Sequence, residues 1–165
     1  MNPLSYEQRG LEAIEHNGPR LLFAEHHRSL HRAGEDLMGR AHEDDRFSLV
    51  AEYRTFEHQI LEHMRAEEDV ILPAFAEVDP VEAAAIREGH DVIRKQLEQT
   101  ALEVELHCVR IETIASLLAT LDDHAKREDR TMYPWAQVHL SDESRTAIGT
   151  RLMSGIRALA SLATR

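Results

Sequence analysis

His63-Met64-Arg65-Ala66-Glu67-Glu68-Asp69-Val70-Ile71-Leu72-Pro73 decides the reading of this chain, because its pattern occurs twice. His124-Ala125-Lys126-Arg127-Glu128-Asp129-Arg130-Thr131-Met132-Tyr133-Pro134 repeats His-x3-Glu-x5-Pro position for position. A His and a Glu four residues apart share one face of a helix. Here that face is also the apolar one. The first pair lies on a stripe through Phe56, Ile60, His63, Glu67, Ile71 and Ala74, the second on a stripe through Leu117, Leu121, His124, Glu128, Met132 and Trp135. An unpaired carboxylate on a core stripe is costly, and metal coordination would explain its presence.

The repeat extends upstream. Phe23-x3-His27-x2-Leu30 resembles Ile86-x3-His90-x2-Ile93, and His27 precedes His63 by 36 residues where His90 precedes His124 by 34. The chain thus reads as two helical hairpins, each giving one His from its first helix and a His plus a Glu from its second. His27, His63, Glu67, His90, His124 and Glu128 are the candidate ligands. Four imidazoles and two carboxylates suit two transition-metal ions, with the carboxylates as bridges. His26 competes with His27, since adjacent residues lie roughly 100° apart around a helix; the flanks favour His27, while His26 fits a stripe from Leu22 to Leu30. One His-x3-Glu alone would be weak. The bland alternative for the whole set is salt-bridging polar clusters with a few hydrogen-bonded core histidines, and the matched repeat argues against it.

Composition agrees with a helical metal protein. The chain has 165 residues, 42% hydrophobic and 30% charged, enough for one domain with a real core. Only 7 Gly and 5 Pro occur, with 5% aromatic residues, which favours long helices over a many-stranded sheet. The 11 His stand out. Asp plus Glu number 30 against 19 Lys plus Arg, and the formal charge of −11 argues against nucleic-acid binding and against docking on an anionic membrane. No apolar stretch approaches a transmembrane helix, no signal peptide is visible at Met1-Asn2-Pro3-Leu4-Ser5, and Cys108 is the single cysteine. A cytoplasmic protein without thiolate metal chemistry is expected.

Breaks in the pattern predict an all-α, up-down four-helix bundle of about 120 residues with a short N-terminal helix and an additional C-terminal helix. A short helix fits Ser5 to Glu15, ended by Asn17-Gly18-Pro19; Leu21 to about Met38 reads as the first long helix. The second fits Phe47 to about Ala76 and should bend or end at Pro73. Asp79 or Pro80 opens the third, a break between Thr100 and Cys108 separates it from the fourth, and the fourth ends near Pro134 to His139. Leu140-Ser141-Asp142-Glu143 reads as a connection plus N-cap. A last helix carries Ile148, Leu152, Ile156, Leu159 and Leu162 on one stripe, which would pack on the bundle or pair with a second copy in a homodimer. The expected units are 1–18, 19–139 and 140–165.

These motifs resemble the hemerythrin-like, or HHE cation-binding, domains. The resemblance covers about Leu21 to Gln137 and rests on Glu25-His26-His27-Arg28-Ser29-Leu30, His63-x3-Glu67-Glu68 with Leu72-Pro73, Glu88-Gly89-His90-x2-Ile93, and His124-x3-Glu128-Asp129 with Tyr133-Pro134. It implies a non-haem di-iron centre held by histidines and two bridging carboxylates, in a family whose roles include oxygen carriage, oxygen or redox sensing, nitric-oxide handling and iron homeostasis. The oxygen-carrying members have a second His four residues away in the third helix, where this chain has Ile86 and Arg94. They also place the last carboxylate five residues after its His, where this chain has Asp129; the match to Glu67 favours Glu128. The missing His would leave a metal position open to a small ligand or to His26 or Glu25.

The resulting expectation is a di-iron protein that binds or reduces O2, peroxide or NO, in sensing or stress response. Alternatives are a non-redox Fe, Zn or Mn binding or storage protein, or a structural helical interaction module. No flavin or nucleotide motif and no dedicated electron donor is visible, so turnover as an enzyme is left open. Glu68 and Asp129 are expected in solvation or salt bridges, with a smaller role in orienting a ligand His. Tyr133, Trp135, Phe75 and Phe23 are expected to pack the bundle ends, with an approach of Tyr133 to bound oxygen or peroxide as its second reading. His16, His31, His42, His58, His107 and His139 are expected at the surface.

Overall fold

The computed structural model describes residues 26–42 and 46–151, and among these every regular element is helical. Helix α1 spans 26–42 and α2 spans Arg46–Ala66. A π-helical turn at Glu67–Ile71 leads into α3, Leu72–Ala76. Then follow α4 (Pro80–Glu105), α5 (Ile111–Arg130), α6 (Met132–His139) and α7 (142–151). The expected 5–15 helix, the start of the first long helix and the stripe beyond Ile148 fall outside the described residues.

Local chemistry sets the ends. Asp79 caps α4 by accepting from the Glu82 amide at 3.0 Å, and Pro80 fills the first turn, where no amide partner is needed. At its other end, Cys108 N donates to Glu103 O at 2.9 Å and His107 N to Val104 O at 3.0 Å, the paired bonds of a Schellman stop, with His107 in the left-handed region at φ 56°. Ser141 caps α7 by accepting from the Ser144 amide.

Pro73 does not end its helix where it stands. The helical path widens before it, over Glu67–Ile71, which absorbs the missing amide donor and adds a residue to the turn. The inward register therefore advances. Ala74, expected on the core stripe, is exposed, and Leu72 and Phe75 are buried in its place. Thr131, between α5 and α6, has a similar effect: Tyr133 and Ala136 become buried, and Trp135 is only partly so.

α4 packs against α2, α3 and α5, while α6 packs against α5 and α3. Gly34 sets α1 against α5, since a Cβ there would meet Leu118 Cδ2 at 2.4 Å. Two apolar clusters form the interior. One includes Leu37, Phe56, Ile60, Ile93, Leu97 and Leu117; the other includes Ile71, Leu72, Phe75, Ile86, Met132 and Ile148. Ile148 belongs to α7 and is fully buried, and Arg151 reaches Asp69, so the described part of the last helix lies on the second cluster. Along α2, α4 and the α5–α6 pair the same succession recurs: apolar residues of one cluster, then His or Glu, then apolar residues of the other.

Candidate metal centre

His63, Glu67, His90 and Glu128 are all buried in the layer between the two clusters, both glutamates with no exposed surface. His27 from α1 and His124 from α5 join them, each with about a tenth of its side chain exposed. All six sequence-derived candidates thus converge on one point.

The carboxylates face two ways. Glu67 turns Oε1 to His63 Nε2 at 3.3 Å and Oε2 to His90 Nε2 at 3.3 Å. Glu128 turns Oε2 to His27 Nε2 at 3.4 Å and Oε1 to His124 Nε2 at 2.8 Å and His90 Nε2 at 3.4 Å. Several of these approaches lack hydrogen-bond direction: Glu67 Oε2, Glu128 Oε2 and His124 Nε2 are buried without a hydrogen-bond partner despite their close neighbours. Donor atoms that converge but do not bond to each other are arranged for something between them. His27, His63, Glu67 and Glu128 form one group of ligand atoms and His90, His124 and Glu128 another, each within 4.8 Å. Two ligands at metal bonds of about 2.0–2.2 Å lie at most roughly 4.4 Å apart, so a slight contraction would close either group on an ion. Glu128 belongs to both.

Residues 19–158 match the model of the hemerythrin HHE cation binding domain. The chain belongs to that family. No curated protein and no solved structure matches it.

In this hemerythrin-domain protein the repeat also explains the surroundings. Each candidate in α1 or α4 has a carboxylate behind it. His90 Nδ1 donates to Glu68 Oε1 at 2.8 Å, and Asp129 lies 4.0 Å from His27 Nδ1 in the equivalent position. Among the described residues only the first is clamped: Arg94 Nη2 donates to both oxygens of Glu68, at 2.7 and 2.6 Å. Arg94 stands one turn after His90 on α4. Its counterpart, His31, is exposed and faces Glu35 at 3.7 Å. Gly89 admits the His124 ring, since a Cβ there would lie 2.5 Å from Nδ1. The residue equivalent to Gly89 is His26, which stacks flat on His63 with centroids 4.8 Å apart. His27, and not His26, therefore directs Nε2 into the centre; it lies 2.9 Å from His63 Nε2.

Tyr133, which sequence reasoning assigned first to packing and only second to the neighbourhood of a bound oxidant, stands at the site. Its hydroxyl donates to Glu67 Oε1 and stands 3.3 Å from His27 Nε2 and 3.4 Å from His63 Nε2. The repeat puts Leu72 at the matching place, so among the described residues the centre has a phenol on one side only. The register advance at Thr131 was the missing signal.

Buried charges push on one another. Burial opposes the His27 cation, but Glu128, Glu67 and Asp129 outweigh it and raise its pKa. Burial likewise opposes the His90 cation, yet Glu128, Glu67 and Glu68 raise its pKa to about 11. Burial and the adjacent His27 and His26 push His63 well down, and burial with His27 lowers His26 to about 4. Burial and the nearby Glu128 raise Glu67; Glu128 itself is held well below the usual range because the close imidazoles of His124, His27 and His90 outweigh its burial. Burial, Glu128 and Glu67 push the Tyr133 phenol well up. Glu68 goes down to about 2, since His90 and Arg94 outweigh its desolvation.

Proposed function

We propose that this protein is a non-haem di-iron protein that binds or reduces a small oxidant, O2, peroxide or NO, in sensing or stress response. The observation that carries the reading is the two-sided placement of Glu67 and Glu128, each with one oxygen toward either histidine group. In this reading the fold is the up-down four-helix bundle of the family, with 1–18 as an N-terminal extension, 19–139 as the bundle and 140–165 as an added helix. His27, His63, His90, His124, Glu67 and Glu128 are the ligands, and the donors suit the metals: neutral imidazole with carboxylate favours iron, manganese or zinc over the alkaline-earth ions.

Bound iron would supply one-electron chemistry toward the oxidant. The chain supplies the rest. Glu67 and Glu128 offset the metal charge and hold both groups at one spacing. Glu68, fixed by Arg94, orients the His90 ring so that Nε2 faces inward. Tyr133 keeps its proton at neutral pH and holds Glu67 Oε1, which places an O–H donor beside one histidine group. Ile60, Ile93 and Leu117 on one side, and Ile71, Leu72 and Ile86 on the other, restrict water.

Metal analysis tests this directly. Protein produced with iron and purified without oxygen should hold two irons per chain, and admitting air should bring up new absorption bands. His63→Ala and His124→Ala should each lose at least one metal. Two zinc ions with a silent spectrum would replace the redox reading with metal storage; full occupancy in both variants would overturn the ligand set.

A further inference from the structure

A cavity of about 450 Å³ opens onto the centre. His27, His63, His124 and Glu128 form its inner end. Its walls are aliphatic: Leu30 from α1, Ile60 and Met64 from α2, Ile93 from α4, Leu118 and Leu121 from α5. Arg28, His31, Asp122 and Lys126 also border it and are exposed, so the cavity meets solvent between α1 and α5.

This space exceeds the needs of a diatomic molecule or a peroxide. A water-sized group takes about 30 Å³, so the cavity admits on the order of fifteen, and pockets for organic molecules begin near about 300 Å³. Water there would find few polar partners along the walls, whereas an aliphatic chain would restore the packing contacts that a void forfeits. The ends differ in charge. At the rim, Lys126 faces Asp122 and Asp123, so opposite charges lie side by side and select neither sign. At the inner end, divalent ions held by two carboxylates and neutral imidazoles would keep a net positive charge, which attracts an anionic oxygen group.

We propose that this cavity binds a medium-chain aliphatic carboxylate, its head group at the His27–His124 end and its chain along the Leu30–Leu121 walls. The proposal rests on reading the centre as a metal site and adds an organic ligand to it. Calorimetric titration of decanoate into the full chain loaded with zinc, which has no redox chemistry, tests it, with metal content measured on the same sample. Saturable one-to-one binding is expected, about tenfold or more weaker in the metal-free chain and for decanol. Leu121→Trp and, from the opposite wall, Leu30→Trp should fill the space and weaken decanoate binding by a similar factor while metal content holds. Full metal content without decanoate binding overturns the proposal, as does equal binding of decanol or wild-type affinity in whichever Trp variant retains its metal. Failure of the chain to take up metal overturns the metal reading itself, and this proposal with it.

Discussion

The hydroxyl of Tyr133 is one residue-scale difference between the two halves of the repeat. Where the first copy carries Leu72, the second donates a hydrogen bond to Glu67 Oε1. Tyr133→Phe keeps the ring and removes that donor, leaving a buried carboxylate oxygen poorer by one bond. The metal-free variant should lose about 1–3 kcal/mol in urea unfolding, with metal stoichiometry unchanged. A second residue-scale test concerns Glu68, whose two oxygens are fixed by Arg94 while one also receives His90 Nδ1. Partners of this kind are worth about 10–100-fold in metal affinity. Glu68→Gln should therefore speed loss of metal to a chelator by that order. Arg94→Lys should fall between Glu68→Gln and wild type, because one ammonium cannot span Glu68 and Asp91 as the guanidinium does through Nη2 and Nη1. Asp129→Asn should do less than Glu68→Gln: Asp129 is half exposed and only 4.0 Å from His27 Nδ1.

At the scale of elements, the centre depends on how closely α4 and α5 approach. Gly89 is the contact point, and Gly89→Ala would drive a methyl to 2.5 Å from His124 Nδ1. The ring must move, so the variant should bind less metal and, as metal-free protein, lose about 1–3 kcal/mol. Gly39→Ala, with nothing within 4 Å of its Cβ, should gain about 0.5–1 kcal/mol by stiffening the unfolded chain, with metal content intact. Both are read by thermal unfolding alongside metal analysis. Element order and the six converging residues were legible because core burial repeats every three to four residues, and His and Glu interrupt that period at matched places. What escaped has a common physical source. The π turn before Pro73 and the break at Thr131 each shift register by local backbone geometry that side-chain type does not encode, so Ala74 turned out and Tyr133 turned in. The stop after α4 falls inside the expected Thr100–Cys108 window, but its exact place was not legible, because His107, not glycine, takes the left-handed position. Glu68 does form a salt bridge and also holds a histidine, but its partners, Arg94 and His90, come from a helix distant in sequence and could not be named.

For the whole molecule, metal loading and protonation compete for the same atoms. Among the described residues no helix is long and apolar enough to cross a membrane, and the burial is spent on a charged layer between two apolar clusters. In the metal-free protein that layer is held partly by protons, His90 being the clearest case, with its pKa raised from 6.5 to about 11. The folded state then keeps a proton that the unfolded chain releases. His90 thus contributes stability that is complete below 6.5 and is lost as pH rises through about 11. Metal ligation has the opposite sign, since imidazole binds a metal only after giving up the proton at that nitrogen. His26 and His63, with lowered pKa values, also carry the sign opposite to His90, but their contribution is complete once the pH is above 6.5. Between about pH 7 and pH 9, the metal-free chain should therefore melt lower as pH rises, while the interval between metal-loaded and metal-free melting temperatures widens. Loading at neutral pH should release protons, which calorimetry in buffers of different ionisation enthalpy counts directly. An interval that narrows with rising pH, or loading with no proton release, would mean that the metals bind away from His90 and its neighbours.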